Sequence, residues 1–379
     1  MDLRLSILLI VTLGACGKTA SLSPNAPAEA ARPSQSLTGP SRAPSAAPDF
    51  GAVPATAPAS LSVRSVPLPG ITGPVTLDYI VADRAHARVW IPVGEPGSVF
   101  VFDVGASTFS RVDGFKTRES EVRGKKRTLG PSAATVGDGF VYVGDRASGE
   151  VCAVDEKTLT LGACLRLPTP SDGLAYVALA KEVWATTPKD RSLTILDASR
   201  PEAVHPKLVV KTDGAPEGYA VDETRELFYT NLEDADRTLV VDVKTHAIVS
   251  TWNPECGEAG PRGIAVDGPR RLVLVACTDS VHVLDGAHEG ARLGTLYVGA
   301  GVDNIEYVAS RKLVYVAASK AAHVTVARLD DSGQLSVVAA GPTAEGGRNA
   351  VVDAAGNIYV VDARTSNLLV FAPPLLPRP

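Results

Sequence analysis

Three observations on this sequence predict an all-β fold built from one repeated unit. Short runs rich in Val, Leu and Tyr alternate with Gly, Asp, Asn and Pro, as is typical of strands and turns. No long segment has the helical periodicity of about 3.6 residues, so no substantial helix is expected. A unit of four short strands recurs about every 45 residues, which is the period of a β-propeller blade. The sequence therefore predicts a seven-bladed β-propeller over residues 61–373.

Two independent series of residues mark the repeat. One predicted position in the second strand of each copy is occupied by Trp90, Tyr142, Trp184, Tyr229, Leu274, Tyr315 and Tyr359, at spacings of 52, 42, 45, 45, 41 and 44 residues. The predicted ends of the third strands are Asp103, Asp155, Asp197, Asp242, Asp285, Arg328 and Ala372. Aspartate in such a place can accept hydrogen bonds from the backbone that follows and begin a turn.

The two ends of the repeat region predict how the ring closes. The last copy has only three predicted strands, and residues 60–68 form a strand that belongs to no copy. A strand left unpaired at each end would promote aggregation. The N-terminal strand is therefore expected to complete the last blade, with residues 374–379 left as a C-terminal tail.

Residues 1–15 have the pattern of a secretory signal peptide. One Arg precedes an apolar run that is too short to span a bilayer, and small residues follow it. Residues 13–16, Leu-Gly-Ala-Cys, resemble the lipobox of bacterial lipoproteins, which implies a lipid on Cys16. Gly17 after it resembles the sorting signal for the outer membrane. The alternative is an ordinary signal peptide with a chance cysteine.

Residues 16–60 are expected to be a disordered linker. Pro, Ala and Ser make up 27 of the 44 residues from 17 to 60, and such a segment cannot bury enough apolar surface to become ordered. The N-terminal sequence thus predicts a protein of the cell envelope, attached to the membrane only by its N-terminal lipid.

One copy of the repeat resembles a known family. LFYTN at 227–231, followed by TLVVDVKTHAIVSTW at 238–252, is similar to the YVTN repeat of YncE-like propellers, and the AVD segments resemble NHL repeats. Thr186 and Ala276 depart from the pattern, because they stand where Asn231 stands in this copy. The resemblance implies the propeller fold and specifies no activity.

The predicted starts of the first strands surround one mouth of the central channel. These positions are Asp78, Ser132, Asp172, Glu217, Arg262, Asp303 and Arg348, and six of the seven are charged. We predict that this channel face binds a ligand or partner. Asp172, Glu217 and Asp303 could hold Ca²⁺ together with carbonyls and water. Alternatively, the acids and arginines neutralise one another around a wet channel mouth.

Propeller enzymes such as gluconolactonase-like hydrolases and streptogramin lyases resemble this chain in fold and in their channel carboxylates. A lyase of that type needs a general base, most often His, and the repeat register places none of the six His residues at the channel mouth. No catalytic residue is therefore assigned. The favoured prediction is a non-enzymatic binding or scaffold module, and the alternative is a metal-dependent lactonase that uses the acidic ring.

A basic insertion at 116–132 separates the first two copies and contains Arg123, Lys125, Lys126 and Arg127. We predict that it projects from the channel face as a docking loop for an acidic partner or a glycan; the alternative is a solvated insertion. The net charge of −5 argues against nucleic acid as a partner. A monomer that binds an envelope protein or glycan is expected.

Two disulfides are predicted among the four cysteines that follow Cys16. Cys152 and Cys164 flank the turn of one hairpin, while Cys256 precedes a first strand and Cys277 ends the second strand paired with it. Disulfides form in oxidising compartments outside the cytoplasm. The alternative is four buried thiols.

Overall fold

The computed structural model describes residues 58–122 and 124–375, which form a ring of seven β-sheets. The first strands of successive blades contact one another around the ring, and the first strand of the last blade contacts that of the first. This arrangement confirms the predicted seven-bladed propeller. Cys16, the signal segment, nearly all of the linker and the last four residues lie outside the described residues, so those predictions stay predictions.

Blades are numbered in chain order, and the strands within each are antiparallel neighbours, except for a parallel fifth strand in blade 6. Blades 1 to 4 consist of Val81–Asp83, Arg88–Val93, Ser98–Asp103 and Thr108–Val112; Pro131–Val136, Phe140–Asp145, Glu150–Asp155 and Leu161–Arg166; Leu174–Val177, Glu182–Thr187, Ser192–Asp197 and His205–Lys211; and Pro216–Asp222, Leu227–Leu232, Arg237–Asp242 and Ile248–Trp252.

Blade 6 has a fifth strand, and blade 7 takes its fourth strand from the N-terminal side of the ring. The strands of blades 5 to 7 are Ile264–Asp267, Leu272–Ala276, Ser280–Asp285 and Ala291–Tyr297; Val302–Val308, Leu313–Ala318, His323–Leu329, Leu335–Pro342 and Ala59–Ser60; and Ala350–Val352, Ile358–Asp362, Asn367–Phe371 and Val63–Pro67.

The ring closes through the N-terminal strand, as predicted. Val63–Pro67 pairs antiparallel with Asn367–Phe371, with Val63 opposite Phe371 and Pro67 opposite Asn367. The short strand Ala59–Ser60 was not predicted, and it pairs in parallel with the outer strand of blade 6. The N-terminal segment therefore completes blade 7 and also adds a fifth strand to blade 6.

The aromatic series of the sequence consists of inter-blade packing residues. Trp184 of blade 3 is fully buried in a cluster with Phe228 and Val241 of blade 4, and its ring lies 4.5 Å from that of Phe228. Tyr359 of blade 7 packs in the same way against blade 1, where its ring lies 6.0 Å from that of Phe102. Each blade thus inserts one large side chain into the next, which explains why this position recurs.

The aspartate series forms the predicted turns. Asp103 accepts a hydrogen bond from the backbone N–H of Ala106 at 2.7 Å, and Asp242 accepts one from Thr245 at 2.7 Å. The third strands of blades 6 and 7 end at Leu329 and Phe371, one residue away from the predicted Arg328 and Ala372. In blade 6 the turn begins with Asp330, two residues beyond the predicted position, where it accepts hydrogen bonds from the N–H groups of Ser332 at 2.9 Å and Gln334 at 2.8 Å.

Helix is limited to three short 3-10 segments within the described ranges, at Pro188–Asp190, Gly257–Ala259 and Ala309–Arg311. None of the helices in this part of the chain is long and apolar enough to cross a bilayer. Both predicted disulfides are present, Cys152–Cys164 between neighbouring strands of blade 2 and Cys256–Cys277 at the start of blade 5.

Candidate binding site at the channel mouth

The charged residues predicted at the channel mouth converge in a network of ion pairs. Arg348 of blade 7 reaches both neighbours, with Nη2 on the Asp78 carboxylate and Nη1 at 3.0 Å from Asp303 Oδ2. The same guanidinium donates to the backbone oxygen of Leu77 at 3.2 Å. Arg348 thus joins the first strand of blade 6 to the segment that leads into blade 1.

Arg146 is a second bridging cation, and it was missed from the sequence. It pairs with both Asp78 and Asp172, and it is itself mostly buried, with 23% of its side chain exposed. Arg146 lies in the turn between the second and third strands of blade 2. Because the strands are antiparallel, the second strand ends at the face where the first strand begins, so a search of each such turn for charged residues would have found Arg146.

Arg262, at the start of blade 5, is the third arginine of the network and contacts two glutamates. Arg262 Nη1 lies 2.8 Å from Glu217 Oε2 and also contacts the Glu233 carboxylate. Glu233 follows the second strand of blade 4 and was not singled out from the sequence. Five carboxyl groups therefore share three arginines across the mouth of the channel.

Ser132, the one uncharged member of the predicted set, contributes its backbone. Its carbonyl oxygen accepts hydrogen bonds from the N–H groups of Asp78, at 3.1 Å, and Tyr79, at 2.8 Å. Its hydroxyl is buried, without a hydrogen-bond partner among the described residues. Ser132 therefore positions Asp78 for its two arginines.

Tyrosines fill the channel just below the ion pairs. Tyr79 of blade 1 is 7% exposed, and its ring lies 5.9 Å from that of Tyr219 of blade 4, three blades further round the ring. Burial, reinforced by the carboxylates of Asp172 and Glu217, raises the pKa of Tyr79 well above its usual value of 10. The Tyr79 hydroxyl is therefore neutral, and its ring meets that of Tyr219 close to the paired carboxylates.

The carboxyl groups at the mouth differ in their pKa values. Burial raises the pKa of Asp78, but Arg348 and Arg146 outweigh it, and the net pKa lies below the usual 3.8. Burial raises the pKa of Asp172 to about 6 against the opposing effect of Arg146. Burial and the neighbouring carboxylates of Asp172 and Asp303 raise the pKa of Glu217 to about 8. At neutral pH, Glu217 is therefore largely protonated while Asp78 is charged.

The three predicted Ca²⁺ ligands contact arginines, whereas a metal site would require their oxygen atoms to converge on one point. Asp172 and Asp303 each pair with an arginine, and Glu217 shares Arg262. Within residues 58–122 and 124–375, no group of potential ligand atoms within 4.8 Å of one another combines these three residues. The arrangement agrees with the alternative of mutual neutralisation, and Ca²⁺ binding stays a hypothesis.

The basic insertion forms a hairpin, and its predicted role as a docking loop stays a prediction. Its strands are Arg118–Val122 and Lys125–Leu129, in antiparallel register. Thr128 Oγ1 donates to Glu95 Oε2 at 2.8 Å, and Gly130 lies so close to Gly94 that an added Cβ would meet its oxygen at 2.4 Å. These contacts fix the base of the hairpin against blade 1. Arg123 and the side chain of Lys125 lie outside the described residues.

A cleft of about 720 Å³ lies between this hairpin and blades 6 and 7. Charged residues of both signs line it, namely Glu95, Glu119, Lys126, Arg127, Glu345, Arg348 and Arg364. Arg348 thus belongs to both the ion-pair network and the cleft. The cleft is suited to a polar ligand that offers both hydrogen-bond donors and acceptors.

Three histidines lie in turns at the face opposite the mouth. His86 contacts Asp83 in the turn after the first strand of blade 1, His246 contacts Glu182, and His288 contacts Asp285. No histidine takes part in the ion pairs described at the mouth.

Comparison with known proteins shows the fold alone. No family model matches the chain, and no curated protein matches it. Among solved structures, a chain of "Crystal Structure of Mitotic Checkpoint Complex" is similar, with a TM-score of 0.68, 14% identity and coverage of 89% of this chain and 98% of that one. "Crystal structure of RRP9 WD40 repeats" gives a TM-score of 0.66 at 12% identity, covering 83% and 98%. "Kuenenia stuttgartiensis Hydrazine Synthase" gives 0.63 at 14%, covering 80% and 96%. At these identities, the chain shares with them a β-propeller architecture.

Proposed function

We propose that the chain is a non-enzymatic binding module that recognises a protein or glycan through its channel mouth. The observation that carries the proposal is the pairing of the mouth's charges with one another, which leaves a mixed-charge cleft beside them as the accessible feature. A cleft with both signs of charge favours a polar, hydrogen-bonding surface over a small anion or cation.

The similar structures support this proposal only in a general way. One comes from a multiprotein complex by its title, and another is a set of WD40 repeats. A third title names an enzyme, so the fold by itself does not decide between binding and catalysis. The YVTN-like segment at 227–252 is consistent with a repeat scaffold of the YncE-like type.

The location that we propose is the cell envelope. A lipid on Cys16, followed by the Pro/Ala/Ser-rich linker, would tether the propeller at a membrane while leaving its mouth free to meet a partner. Labelling of the full chain with a radioactive fatty acid in a bacterial host tests this step. Label that persists in a Cys16→Ser variant would contradict it.

Site-specific photo-crosslinking tests the binding surface. A crosslinking amino acid at Arg127 faces the cleft, and one at Lys181, in the turn between the first and second strands of blade 3, faces the opposite side. We expect one discrete adduct from Arg127 and none from Lys181 in intact cells, with isolated glycans in a binding assay as the second arm. Equal capture from both positions, or no adduct and no glycan binding, would contradict the proposal.

A metal-dependent hydrolase is the second candidate, and one observation favours it. Glu217 holds a proton near neutral pH in a buried setting, which is what a general acid requires. Metal analysis of the purified protein and a screen of lactones decide between the two. Turnover that is abolished by both Asp172→Ala and Glu217→Ala would replace the binding proposal with this one.

A further inference from the structure

A second cluster of potential ligands lies at the opposite end of the channel from the mouth. Asp83 ends the first strand of blade 1, His86 lies in the turn that follows, and Glu156 follows the third strand of blade 2. One ligand atom from each lies within 4.8 Å of the other two. The Asp83 and Glu156 side chains are 2% and 5% exposed, whereas that of His86 is 57% exposed. The cluster is thus buried on its acidic side and open to solvent on its histidine side.

The hydrogen bonds within this cluster leave one buried oxygen atom without a donor among the described residues. His86 Nδ1 lies 3.0 Å from Asp83 Oδ2 and also contacts Glu156 Oε1, yet a ring nitrogen carries at most one proton. Glu156 Oε1 is buried and has no correctly oriented hydrogen-bond donor among the described residues. Three electron-pair donors therefore face one another around one point, which is the arrangement that a bound cation stabilises.

Other blades treat the corresponding position differently. Asp267 ends the first strand of blade 5 as Asp83 does in blade 1, but the next blade presents a donor to it, the Tyr307 hydroxyl at 2.5 Å. Arg270 Nε donates to the same Asp267 oxygen at 2.9 Å. Blade 2 instead presents the Glu156 carboxyl to Asp83. Blade 5 thus shows an equivalent aspartate that is supplied with two donors, whereas Asp83 meets a second carboxyl group from the neighbouring blade.

The surrounding contacts hold the ligands in place. Asp83 Oδ1 accepts hydrogen bonds from the N–H groups of Ala85 and His86, both at 3.1 Å, and this directs Oδ2 toward the histidine. The Glu156 carbonyl accepts a hydrogen bond from Arg88 at 2.6 Å, and its N–H donates to Gly139 at 3.1 Å. Arg88 places one positive charge nearby, bound to that carbonyl. Supporting hydrogen bonds of this kind orient ligands in metal sites.

We propose that Asp83, His86 and Glu156 bind a divalent metal ion of the Zn²⁺ class, with water completing the coordination. An imidazole with two carboxylates suits Zn²⁺ and its neighbours better than Ca²⁺, which prefers six or more oxygen ligands. Zn–ligand distances of about 2.0–2.2 Å place tetrahedral ligand atoms roughly 3.3–3.6 Å apart, so the 3.0 Å between His86 Nδ1 and Asp83 Oδ2 would widen by a few tenths of an ångström around the ion. The ion joins blade 1 to blade 2 and is independent of the channel mouth.

Calorimetric titration of ZnCl₂ into the EDTA-treated full chain tests the site. We expect one ion per chain, with binding weakened at least ten-fold in both His86→Ala and Glu156→Gln. His288→Ala is the matched control, because His288 is exposed at the same face and contacts the single carboxylate of Asp285 at 2.7 Å; it should bind Zn²⁺ as the parent does. His86 is exposed, so its variant is expected to fold even if Glu156→Gln does not.

Each outcome of the metal-binding experiments either supports or contradicts the proposed site. Absorption bands of four-coordinate Co²⁺ in the parent, lost in His86→Ala, would support the site by a second readout. Absence of stoichiometric Zn²⁺ binding in the parent would overturn the proposal and leave the cluster as a hydrogen-bonded group that shares protons. Binding retained in both His86→Ala and Glu156→Gln would place the ion elsewhere, and a preference for Ca²⁺ over Zn²⁺ would refute the proposed metal class.

Discussion

Arg146→Ala removes the cation that joins Asp78 and Asp172 at the channel mouth. The arginine contacts both carboxylates, and the three side chains are only 23%, 11% and 22% exposed. The variant leaves Asp172 with no contacting cation, while Asp78 keeps Arg348. The mouth of the propeller therefore gains one buried carboxyl group without a partner.

The expected loss of stability follows from that burial. Removal of one partner from a buried ion pair destabilises a protein by about 3–5 kcal/mol, because the other charge stays buried without compensation. Arg348 still contacts Asp78, and Asp172 can take up a proton, so we expect about 2–4 kcal/mol at pH 8. A matched surface pair, Arg191 with Asp234, is 59% and 38% exposed, and Arg191→Ala should cost only about 0–1 kcal/mol.

The loss should depend on pH in a defined direction. In the parent, the arginines hold the pKa of Asp78 below its usual value, so this stabilisation is present above about pH 4 and is lost on further acidification. Without Arg146, the pKa values of Asp78 and Asp172 rise, and both groups ionise at increasing cost as the pH rises. The difference in unfolding free energy between parent and variant should therefore be largest at pH 8 and smaller at pH 4.5, where Asp172 is mostly protonated and only the contact of Arg146 with Asp78 is lost.

Urea unfolding followed by circular dichroism, with the disulfides intact, measures these free energies at pH 4.5, 6 and 8. Arg146→Ala should separate from the parent as the pH rises, and Arg191→Ala should follow the parent throughout. A loss in Arg146→Ala that is equal at all three pH values, or one no larger than that of Arg191→Ala, would refute the buried network as a source of stability.

Three further predictions concern the same fold. Glu217→Gln should raise the unfolding free energy by about 2 kcal/mol at pH 8 and by little at pH 4.5. The pKa of about 8 means that the folded protein loses stability as the pH rises, because Glu217 ionises less readily in the folded than in the unfolded chain. Glu202→Gln, at an exposed site, should have no such effect. Replacement of Cys152 or Cys256 by Ser should lower the unfolding free energy by about 3 kcal/mol, and equal stability of parent and variants in non-reducing buffer would contradict this. Removal of residues 1–67 deletes the strand Val63–Pro67, so light scattering on heating should show earlier aggregation than in the full chain, and unchanged aggregation would argue against the closing role of this strand.

The fold could be predicted from the sequence because its repeated contacts use the same residue types in nearly every blade. An aromatic such as Trp184 packs on the next blade in six of the seven copies, and an aspartate such as Asp103 begins the turn after the third strand in most of them. Both residue types recur at a period of about 45 residues, and their recurrence over several copies distinguishes the pattern from a chance match. The fifth strand of blade 6 escaped prediction because Ala59–Ser60 is two residues long and carries no periodic signal.

The channel mouth could be predicted only in part. The register located the six charged residues, since the start of each first strand is set by the strand period. The same register does not identify which charged residues pair with each other, because paired residues such as Arg146 and Asp78 are 68 positions apart in the sequence. Arg146 and Glu233 lie in turns between second and third strands, where side chains are not constrained by the alternation of a strand. Pairing across blades is a property of the closed ring, and a linear pattern does not contain it.

The ion pairs across the channel mouth favour binding of a partner at the rim over binding inside the channel. Arg348 and Arg146 link acids from different blades across the mouth, and Tyr79 meets Tyr219 just below them. A ligand that entered the channel would have to break several buried ion pairs, each of which leaves an uncompensated charge. A partner that stays on the rim loses no such contact. The features that distinguish the rim from a plain ring of repeats are the hairpin at 118–129 and the cleft beside it. Specificity is therefore expected to come from this insertion, and exchange of the hairpin for a short turn should abolish partner capture while leaving the fold intact.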